Sequence, residues 1–562
     1  MKQTSVKPSL VITLLVIYTI IWFGTLNYRH LIPSDEGRYA EMAREMLSSG
    51  DWITPRYHDY KYFEKPPLHI WASALIFQGF GIGEWQVRMW SGLLGYLTIL
   101  LVGFTAWRLY SPRAGVLAAV ALGSAPMWVV GGHFNSLDTG LSAFLAAALC
   151  SFLLAQHTDR PHLRNRWMLG CWCAMALATL SKGLIGIALP AMVFVVYALA
   201  NWHWRIWQEL NLLKGLLLLL AITAPWFILV SIRNPEFAQF FFINEHFQRF
   251  TQEEHSRPGP IYFFLPFLLL GFLPWLPQAS SGVWQSWQQR RNQHRTQFSS
   301  LVLLTCWVLV ILGFFSLSQS KLPGYIMPIF PALALLAGYV LDRSLSEFNS
   351  ERNGLSISWK VQTIFFVLLG LIGFAFLPLI GFEAKPDELL AYAAYTQWVI
   401  SALVVLILFS LTAALLARRH ALASIYCYAM GFFITCTIAG TGHEALGRAV
   451  SGVDLAAQVR PLIPADATIY SVRILDHTFP FYLGRTMVMV EFPDELEFGV
   501  TQEPSRWVPT LDEFIKRWQN EPTAYAMMVP EQYAALQKAG LPMQEIGRDA
   551  RRVVVAHPTL RK

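Results

Sequence analysis

The sequence predicts a polytopic α-helical membrane protein of about thirteen transmembrane helices, followed by a soluble α/β domain at its C-terminal end. Three observations lead to this prediction. Of the 562 residues, 54% are hydrophobic and only 14% are charged, whereas ordinary soluble domains contain about 25% charged residues. Apolar runs of about 18 or more residues recur from Pro8 to Gly442. After Gly442 the composition becomes polar.

Thirteen segments approach the roughly 20 residues that a helix needs to cross a bilayer. They begin near Pro8, Glu84, Pro112, Leu137, Arg166, Gly183, Leu212, Pro260, Ser299, Pro323, Lys360, Gln397 and Ala421. Lysine and arginine concentrate in the even-numbered connections, for example at Arg290, Arg291 and Arg295. By the positive-inside rule these connections and the N-terminus are cytoplasmic, so the C-terminal tail is external. The formal charge of +7 is therefore a topology signal and does not indicate nucleic-acid binding.

The connection between the first and second spans, over 29–83, is long and highly charged. Its section Ser34–Pro67 contains seven acidic and five basic residues, whereas a plain connection between helices has about 2–8 residues. The bases are predicted to be external, contrary to the positive-inside rule, and they are mixed with acids, so we interpret this stretch as a catalytic loop. Leu68–Gly81, at its end, is too short to span and is predicted to lie in the membrane interface.

The tail is predicted to be a small α/β domain over 442–562, separate from a membrane domain over 1–441. Short β-rich runs alternate with helical patterns along it. The predicted strands are Ala467–Ile474, Met487–Val490, Ala524–Val529 and Val553–Ala556. The tail contains no glycine-rich phosphate loop and no metal motif, so its sequence alone does not indicate a function.

Unusual polar residues gather in the connections predicted to be external. They are Asp35, Arg38, Tyr39, Tyr62, Glu64 and Lys65 in the first loop, and Asp138, Lys182, Glu245, His246, Arg249, Lys321 and Tyr325 in later connections. Taken singly, Asp138 is explained as a helix cap and Lys182 as a base that extends to the interface. Ionisable groups near membrane depth are costly, however, and their occurrence in several connections on one side indicates a functional site.

This mixture of side chains suits group transfer from a lipid-linked phosphate. Lysine and arginine neutralise phosphate oxygens, and a carboxylate acts as a base or orients an acceptor. Asp35 and Asp138 are the candidate catalytic carboxylates. Glu64, Glu245 and His246 offer ligands that suit a divalent metal such as zinc, magnesium or manganese. No HExxH or DxD spacing supports such a site, so a polar role for His246 is favoured and no cofactor is required.

Several short motifs carry a resemblance to a known family. They are Asp35-Glu36 with RYAE at Arg38–Glu41, SGDW at Ser49–Trp52, YFEKP at Tyr62–Pro66, Val87-Arg88, Leu137-Asp138, SKG at Ser181–Gly183, FF..EH..RF at Phe241–Phe250, LPW at Leu273–Trp275 and SKLPGY at Ser320–Tyr325. With these motifs the chain resembles the C-type integral-membrane glycosyltransferases, and among them the bacterial lipid A aminoarabinose transferases. It departs from the family pattern at Gly37 and at Thr139-Gly140.

The resemblance implies the C-type glycosyltransferase fold and a multi-pass protein of the bacterial inner membrane. The active site and the tail domain would face the periplasm. The donor would be undecaprenyl phosphate carrying 4-amino-4-deoxy-L-arabinose, and the acceptor would be a lipid A phosphate. A cell with the modified lipid A would resist polymyxin and other cationic peptides. The protein would contact membrane lipids, act as a monomer and bind no nucleic acid. Substrate-binding residues would be Arg38, Tyr39, Tyr62, Glu64, Lys65, Arg88, Lys182, Arg249, Lys321 and Tyr325.

Two alternatives remain open at this point. Another polyprenyl-phosphate-dependent enzyme, such as a protein O-mannosyltransferase, would use a hydroxyl acceptor and would need Asp35 as a true base. A lipid transporter or flippase would also have many spans, but it should show internal repeats and charges at the membrane midplane. The sequence shows no repeat, and its unusual charges lie in connections.

Overall fold

The computed structural model describes residues 8–248, 259–292, 297–348, 354–382, 388–417 and 419–558. The chain divides into two compact units. The first, here called the membrane unit, comprises Met1–Thr25, Ser91–Leu379 and Trp398–Gly440. The second, here called the loop-and-tail unit, comprises Leu26–Trp90, Ile380–Gln397 and Thr441–Lys562. The loop that follows the first span therefore folds together with the C-terminal tail.

Helices occupy most of the described chain as far as Gly442. They are α1 (Pro8–Gly24), α2 (Asp35–Ser49), α3 (Leu68–Phe80), α4 (Glu84–Leu109), α5 (Pro112–Gly123), α6 (Pro126–Gly132), α7 (Leu137–His157), α8 (Pro161–Lys182), α9 (Ile185–Asn201), α10 (Ile206–Glu209), α11 (Leu212–Arg233), α12 (Phe264–Gly271), α13 (Leu276–Asn292), α14 (Ser300–Leu317), α15 (Phe330–Phe348), α16 (Gly354–Ala375), α17 (Leu389–Leu416) and α18 (Ala421–Gly442). A π-helical segment covers Gln239–Gln248, and a 3-10 segment covers Pro323–Ile329.

A described helix lies at each of the thirteen predicted positions, but not all of these helices are long and apolar enough to cross a membrane. Among the described residues seven helices meet that requirement, and nine do so if each bent pair is one span. The number of thirteen spans therefore stays a prediction. The bent pairs are α5 with α6, at 69°, and α12 with the helical residues from Leu273 onward, at 72°. Pro126 and Pro274 begin the second halves, where the missing N–H of proline ends the preceding hydrogen-bond ladder.

The antiparallel pair α7 and α8 brings two predicted site residues together. Only Thr158 to Arg160 separate the two helices, so the first turn of α7 lies beside the last turn of α8. In the most apolar window of α7, 83% of the residues are buried inside the protein, which means that α7 packs against helices and not against lipid. Gly183 ends α8 with a φ of 93°, a conformation that favours glycine.

The tail contains a five-stranded sheet in the order β4-β3-β5-β7-β6. Its strands are β3 (Ile469–Val472), β4 (Val488–Val490), β5 (Tyr525–Met528), β6 (Gln544–Arg548) and β7 (Val553–Ala556). β3 pairs in parallel with β4 and β5, while β7 pairs antiparallel with β5 and β6. The helices are α19 (Glu444–Ser451), α20 (Val453–Val459), α21 (Phe479–Leu483), α22 (Glu497–Gln502), α23 (Leu511–Asn520) and α24 (Pro530–Lys538). The predicted α/β character and the four predicted strands are confirmed.

A small hairpin in the loop, β1 (Arg56–Tyr57) with β2 (Tyr60–Lys61), packs against the tail. At its turn His58 and Asp59 have φ values of 55° and 63°, which are unfavourable for residues other than glycine. The buried carboxylate of Glu45 accepts hydrogen bonds from the backbone N–H groups of both residues, at 2.7 and 2.9 Å. Within the same unit Arg56 forms an ion pair with Glu503 at 2.9 Å. The Tyr60 hydroxyl also accepts a hydrogen bond from the backbone N–H of Met489 in β4 at 3.3 Å, so the hairpin lies on the edge of the tail sheet that ends with β4.

Candidate active site

In the membrane unit, Asp138 and Lys182 form an ion pair. Asp138 lies in the first turn of α7, where the side chain of Ser136 accepts a hydrogen bond from its N–H. Lys182 is the last residue of α8. The positive end of one helix dipole therefore faces a carboxylate and the negative end of the other faces an ammonium group, which favours both charges. The side chains keep 14% and 12% of their exposure, so the pair is shielded but still accessible to a ligand.

Tyr325 and Lys321 come from the motif that precedes α15. The Lys182 Nζ atom lies 4.6 Å from the centroid of the Tyr325 ring, a cation–π contact. Lys321 is buried, and its Nζ atom donates a hydrogen bond to the carbonyl of Ser318 at 2.5 Å. Asp138, Lys182 and Tyr325 thus form one cluster, and Lys321 lies on the same short segment as Tyr325. The cluster offers a cation, a carboxylate and an aromatic face, which together suit a phosphorylated sugar.

Glycine at 324 allows this cluster to form. A Cβ atom at Gly324 would overlap the carboxylate of Asp138. The departure at Gly140 has a similar cause, because a Cβ atom there would lie 2.9 Å from the Ser181 Oγ atom. Gly140 therefore lets the start of α7 approach the end of α8 closely. The absence of a side chain at Gly140 thus allows Asp138 and Lys182 to lie close enough to form their ion pair.

In the loop-and-tail unit, Glu36 is completely buried between two arginines. Arg29 contacts its two carboxylate oxygens at 2.7 and 2.9 Å, and Arg88 contacts them at 2.8 and 3.1 Å. Arg88, with 1% exposure, also donates to the carbonyls of Leu26, Arg29 and His30. The structure therefore places Arg88, which the family resemblance assigns to substrate binding, in contacts that fix the loop. Burial alone would raise the pKa of Glu36, but the two guanidinium groups hold it well below its usual range.

Arg38 connects three other groups of this unit. Its guanidinium donates to the Tyr62 hydroxyl at 3.3 Å and to the Glu495 carboxylate at 2.9 Å, and it lies 3.8 Å from the Asp35 carboxylate. Asp35 is the first residue of α2, and its side chain keeps 31% of its exposure. The Arg38 guanidinium also lies 5.6 Å from the Tyr39 ring centroid. Asp35, Arg38, Tyr39 and Tyr62 therefore form one cluster, as the sequence predicts.

Glu64 and Lys65 follow Tyr62 after one intervening residue, Phe63. The Lys65 Nζ atom donates to the Glu64 carbonyl at 2.9 Å and lies 3.8 Å from its carboxylate. Their side chains keep 16% and 18% of their exposure. This partly shielded ammonium group is suited to bind a phosphate oxygen as a point charge.

Two residues of this cluster, Glu495 and His477, come from the tail, and sequence reasoning did not assign them. The Glu495 carboxylate accepts hydrogen bonds from Arg38 and from the Tyr62 hydroxyl, the latter at 3.2 Å. The His477 Nδ1 atom lies 2.9 Å from the Tyr57 hydroxyl, and its Nε2 atom lies 3.8 Å from Glu495. No local motif surrounds either residue. More than 430 positions separate Glu495 from Tyr62, so no spacing rule could have found this contact.

The tail residues have shifted pKa values with definite causes. Burial raises the pKa of Glu495 to about 7, although the nearby Arg38 acts to lower it. Burial and the positive charge of Arg38 lower the pKa of His477 to about 4. At neutral pH His477 is therefore neutral, and Glu495 lies close to its titration midpoint.

The remaining predicted residues are placed only in part. Arg249 lies outside the described residues, as does the side chain of His246. Glu245 belongs to the π-helical segment Gln239–Gln248, while Glu64 belongs to the loop. Among the described residues no group of three or more His, Cys, Asp or Glu side chains is arranged to hold a metal ion. A metal bound by Glu64, Glu245 and His246 stays a prediction.

An apolar cavity of about 280 Å³ lies elsewhere in the membrane unit. It is bounded by α1, α4, α5 and α18, and its lining includes Tyr18, Trp107 and Phe433. None of the predicted site residues lines it. The described residues that line the cavity include no acidic or basic side chain that could act on a phosphate. The candidate functional residues are therefore those of the two polar clusters, each within its own unit.

Replacing Gly324 with alanine is expected to lower kcat/KM about tenfold. The added methyl group must displace the Asp138 carboxylate, and such overpacking typically costs about 1–3 kcal/mol. The measurement is initial transfer rate in detergent, with Gly313→Ala as the matched control, because nothing lies within 4 Å of a Cβ atom at that position. Equal rates for both variants would show that the position of Asp138 does not limit the reaction.

Two protein families match this chain, one in its C-terminal tail and one in its N-terminal half. Residues 455–557 match the family described as "Aminoarabinose transferase C-terminal domain". Residues 64–229 match the family described as "Dolichyl-phosphate-mannose-protein mannosyltransferase". The C-terminal match gives the tail a family assignment that its sequence patterns alone did not provide.

Curated relatives carry one shared description, "Undecaprenyl phosphate-alpha-4-amino-4-deoxy-L-arabinose arabinosyl transferase". The relative from Enterobacter sp. (strain 638) is 31% identical over 416 residues, which are 73% of this chain and 72% of that protein. The relative from Erwinia tasmaniensis is 37% identical over 331 residues. That second match spans a little over half of each chain, 57% in both cases.

Solved structures give the same family and the fold. ArnT from Cupriavidus metallidurans bound to undecaprenyl phosphate is 42% identical, with a TM-score of 0.91 and 99% coverage of each chain. The archaeal oligosaccharyltransferase AglB from Archaeoglobus fulgidus is 15% identical with a TM-score of 0.52, covering 93% of this chain and 70% of that chain, which shows the fold alone. The predicted C-type glycosyltransferase fold with a C-terminal α/β domain is confirmed, and the protein is a multi-pass membrane protein. The chain belongs to the family of the undecaprenyl phosphate-alpha-4-amino-4-deoxy-L-arabinose arabinosyl transferases.

Proposed function

We propose that this protein transfers 4-amino-4-deoxy-L-arabinose from undecaprenyl phosphate to a phosphate of lipid A. The observation that carries the proposal is the likeness, along nearly the whole chain, to an ArnT structure bound to undecaprenyl phosphate. The two polar clusters support it, because each combines a cation, a carboxylate and a tyrosine. The enzyme acts in the bacterial inner membrane with its site facing the periplasm, where lipid A phosphates are accessible.

The reaction is an inverting displacement. An acceptor phosphate oxygen attacks the anomeric carbon and forms a new C–O bond. The bond from that carbon to the undecaprenyl phosphate oxygen breaks, and its electron pair leaves with the phosphate. The acceptor is already largely ionised near neutral pH, since the second pKa of a phosphate is about 6. A strong general base is therefore not required.

Each cluster has a role that follows from its charges. In the loop-and-tail unit, Asp35 orients the acceptor or contacts the sugar, and Lys65 binds a phosphate. In the membrane unit, Asp138 binds the sugar amine, and Lys182 neutralises phosphate charge. Arg249, which lies outside the described residues, is proposed as a further phosphate ligand from its sequence motif. Tyr62 in the loop-and-tail unit and Tyr325 in the membrane unit are proposed as contacts of the sugar, and Arg38 with Tyr39 supports Tyr62.

The biological effect follows from the charge of the product. Each transferred sugar adds an amine that offsets roughly one of the negative charges that a phosphate carries. A membrane surface that carries fewer negative charges attracts cationic peptides such as polymyxin less strongly. Resistance to these peptides is therefore the expected phenotype of a cell that expresses the active enzyme.

The deciding experiment uses purified full-length protein in detergent with undecaprenyl-phosphate aminoarabinose and lipid A. Mass spectrometry is expected to show the amino-sugar mass increment on lipid A, and no increment on lipid A from which the phosphates have been removed. A parallel sample with a chelator tests the metal. Lost activity that zinc, magnesium or manganese restores would support Glu64, Glu245 and His246 as ligands. Failure of the well-folded protein to modify lipid A would contradict the proposed acceptor and donor.

A specific observation favours one other function. Residues 64–229 match the mannosyltransferase family description, which suggests a polyprenyl-phosphate sugar and a hydroxyl acceptor. The same assay therefore includes a mannosyl donor with serine- and threonine-containing peptides. Transfer to those peptides, with none to lipid A, would replace the proposed reaction while keeping the fold.

A further inference from the structure

We propose that Glu495 of the tail is a positioning residue, which sets the orientation of the Arg38 guanidinium and the Tyr62 hydroxyl in the candidate site. This inference rests on the proposed function, since that function places Tyr62 in contact with the sugar and Arg38 in support of Tyr62. It gives the tail domain a direct part in the reaction. The argument uses contacts within the loop-and-tail unit only.

The three side chains form a closed ring of hydrogen bonds. Arg38 donates through one terminal nitrogen to Glu495 at 2.9 Å and through the other to the Tyr62 hydroxyl at 3.3 Å. The Tyr62 hydroxyl, which accepts from Arg38, in turn donates to the second oxygen of Glu495 at 3.2 Å. An ionised carboxylate can only accept hydrogen bonds. Glu495 therefore fixes both the plane of the guanidinium and the direction of the tyrosine proton.

Because Arg38 and Tyr62 are buried, this ring of hydrogen bonds determines how their side chains are oriented. Arg38 keeps 7% and Tyr62 keeps 2% of their exposure, so water offers them few alternative partners. The Nε atom of Arg38 has no hydrogen-bond partner among the described residues. The orientation of Arg38 consequently depends on its two terminal nitrogens, and Glu495 is the charged group that one of them contacts most closely.

A second contact between α2 and the tail lies next to this ring. A Cβ atom at Gly37 would overlap the backbone carbonyl of His477. Glycine at this position, where the chain departs from the family pattern, therefore lets the first turn of α2 lie directly on the tail. Asp35 and Arg38 flank that contact. The tail thus holds the start of α2 through the backbone at Gly37 and through Glu495 at Arg38.

The charges around Glu495 make its ionisation sensitive to pH. The groups that interact with it are Arg38 and Tyr39 on α2, Tyr57, Tyr62 and Glu64 in the loop, and His477 and Asp494 in the tail. Burial raises its pKa to about 7. A protonated Glu495 has a hydroxyl donor on one of its oxygens, so the ring would need a different set of hydrogen-bond directions.

The test compares Glu495→Gln with wild type. Glutamine has nearly the same size, but its N–H₂ group is a donor and would face either the Arg38 guanidinium or the Tyr62 hydroxyl, which are donors too. We expect kcat/KM to fall about tenfold or more, as for loss of a hydrogen bond to a charged group, with the apparent melting temperature unchanged. The wild-type kcat/KM should decline on the acid side of pH 7, and this decline should be absent in Glu495→Gln, which cannot titrate there.

Two further variants separate positioning from a structural role. Glu513→Gln is the matched control, because it removes an ion pair with Arg517 on the surface of the same tail and should leave activity unchanged. In the Tyr62→Phe background, Glu495→Gln should cost much less than in wild type, because residues of one hydrogen-bond network are not additive. Three results would each overturn the proposal. The effects of Glu495→Gln and Tyr62→Phe on kcat/KM could be fully additive, or Glu495→Gln could leave kcat/KM unchanged, or its loss of activity could be matched by an equal loss of thermal stability.

Failure of the proposed function can be distinguished from failure of the Glu495 proposal. If wild type uses a different polyprenyl-phosphate sugar, the aminoarabinose assignment fails, and the Glu495 comparison is made with the sugar that wild type does use. If wild type transfers no sugar from any such donor, both proposals fail.

Discussion

Replacing Asp35 with asparagine is expected to lower kcat about 100-fold, because Asp35 orients the acceptor or the sugar and misplacing a reactant by about 1 Å can have an effect of this size. The substitution keeps the shape of the side chain and removes its negative charge. Asp35 keeps 31% of its exposure, and its carboxylate lies 3.8 Å from Arg38, which Glu495 and Tyr62 also hold. The fold therefore does not depend on this charge, and the apparent melting temperature should remain that of wild type. Initial rates and thermal unfolding of the same preparation provide the measurement.

Asp454→Asn is the control for this substitution. Asp454 forms an ion pair with Arg448 at 2.7 Å on the exposed surface of the same unit, where its side chain is 64% exposed. Exposed pairs contribute about 0.2–1 kcal/mol, so activity and stability should both be kept. Transfer by Asp35→Asn at the wild-type rate would remove Asp35 from the site. Loss of activity together with stability would instead give it a structural role.

Most of the secondary structure could be predicted from the period and the length of the runs of apolar residues. The predicted membrane helices and the four strands of the tail core follow from runs of hydrophobic residues. The structure places a helix at each predicted span and confirms the four strands, while the number of membrane crossings stays a prediction. The strand Gln544–Arg548 was missed for a physical reason. It lies at the edge of the sheet, and its residues are mostly partly or fully exposed, so its sequence is polar and lacks the apolar signal of a buried strand.

The candidate site was predictable where its residues lie near the ends of helices or in short charged connections. Asp138, Lys182 and Tyr325 are polar residues at such positions, and the structure brings them together. Glu495 and His477 could not be chosen in this way, because their contacts with the loop join distant parts of the chain. The two glycine departures are interpretable only from close contacts in the structure, between Gly37 and the backbone carbonyl of His477 and between Gly140 and the Ser181 Oγ atom.

Replacing the neighbouring Glu36 with glutamine is expected to destabilise the protein by about 3–5 kcal/mol, as for loss of one partner of a buried ion pair. Glu36 is fully buried, and both of its oxygens accept hydrogen bonds from Arg29 and Arg88. Glutamine would leave two guanidinium groups without their counter-charge and would turn an N–H₂ group toward their donors. The apparent melting temperature in detergent should fall sharply, and activity should fall with it because the start of α2 loses its attachment. Glu513→Gln, an exposed pair, should change neither.

The pH dependence of this effect distinguishes the buried pair from an ordinary carboxylate. The folded-state pKa of Glu36 lies well below its usual value, since Arg29 and Arg88 outweigh the effect of burial. A carboxylate with a lowered pKa contributes its full stability above the unfolded value of about 4.3 and loses it only as the pH falls through the folded value. The difference in stability between wild type and Glu36→Gln should therefore stay constant from pH 8 to pH 5. Below about pH 4.3 the difference should shrink as the pH falls. A difference that stayed constant there as well would mean that Glu36 has the same pKa in the folded and unfolded protein, and hence that the two arginines do not enclose it as described.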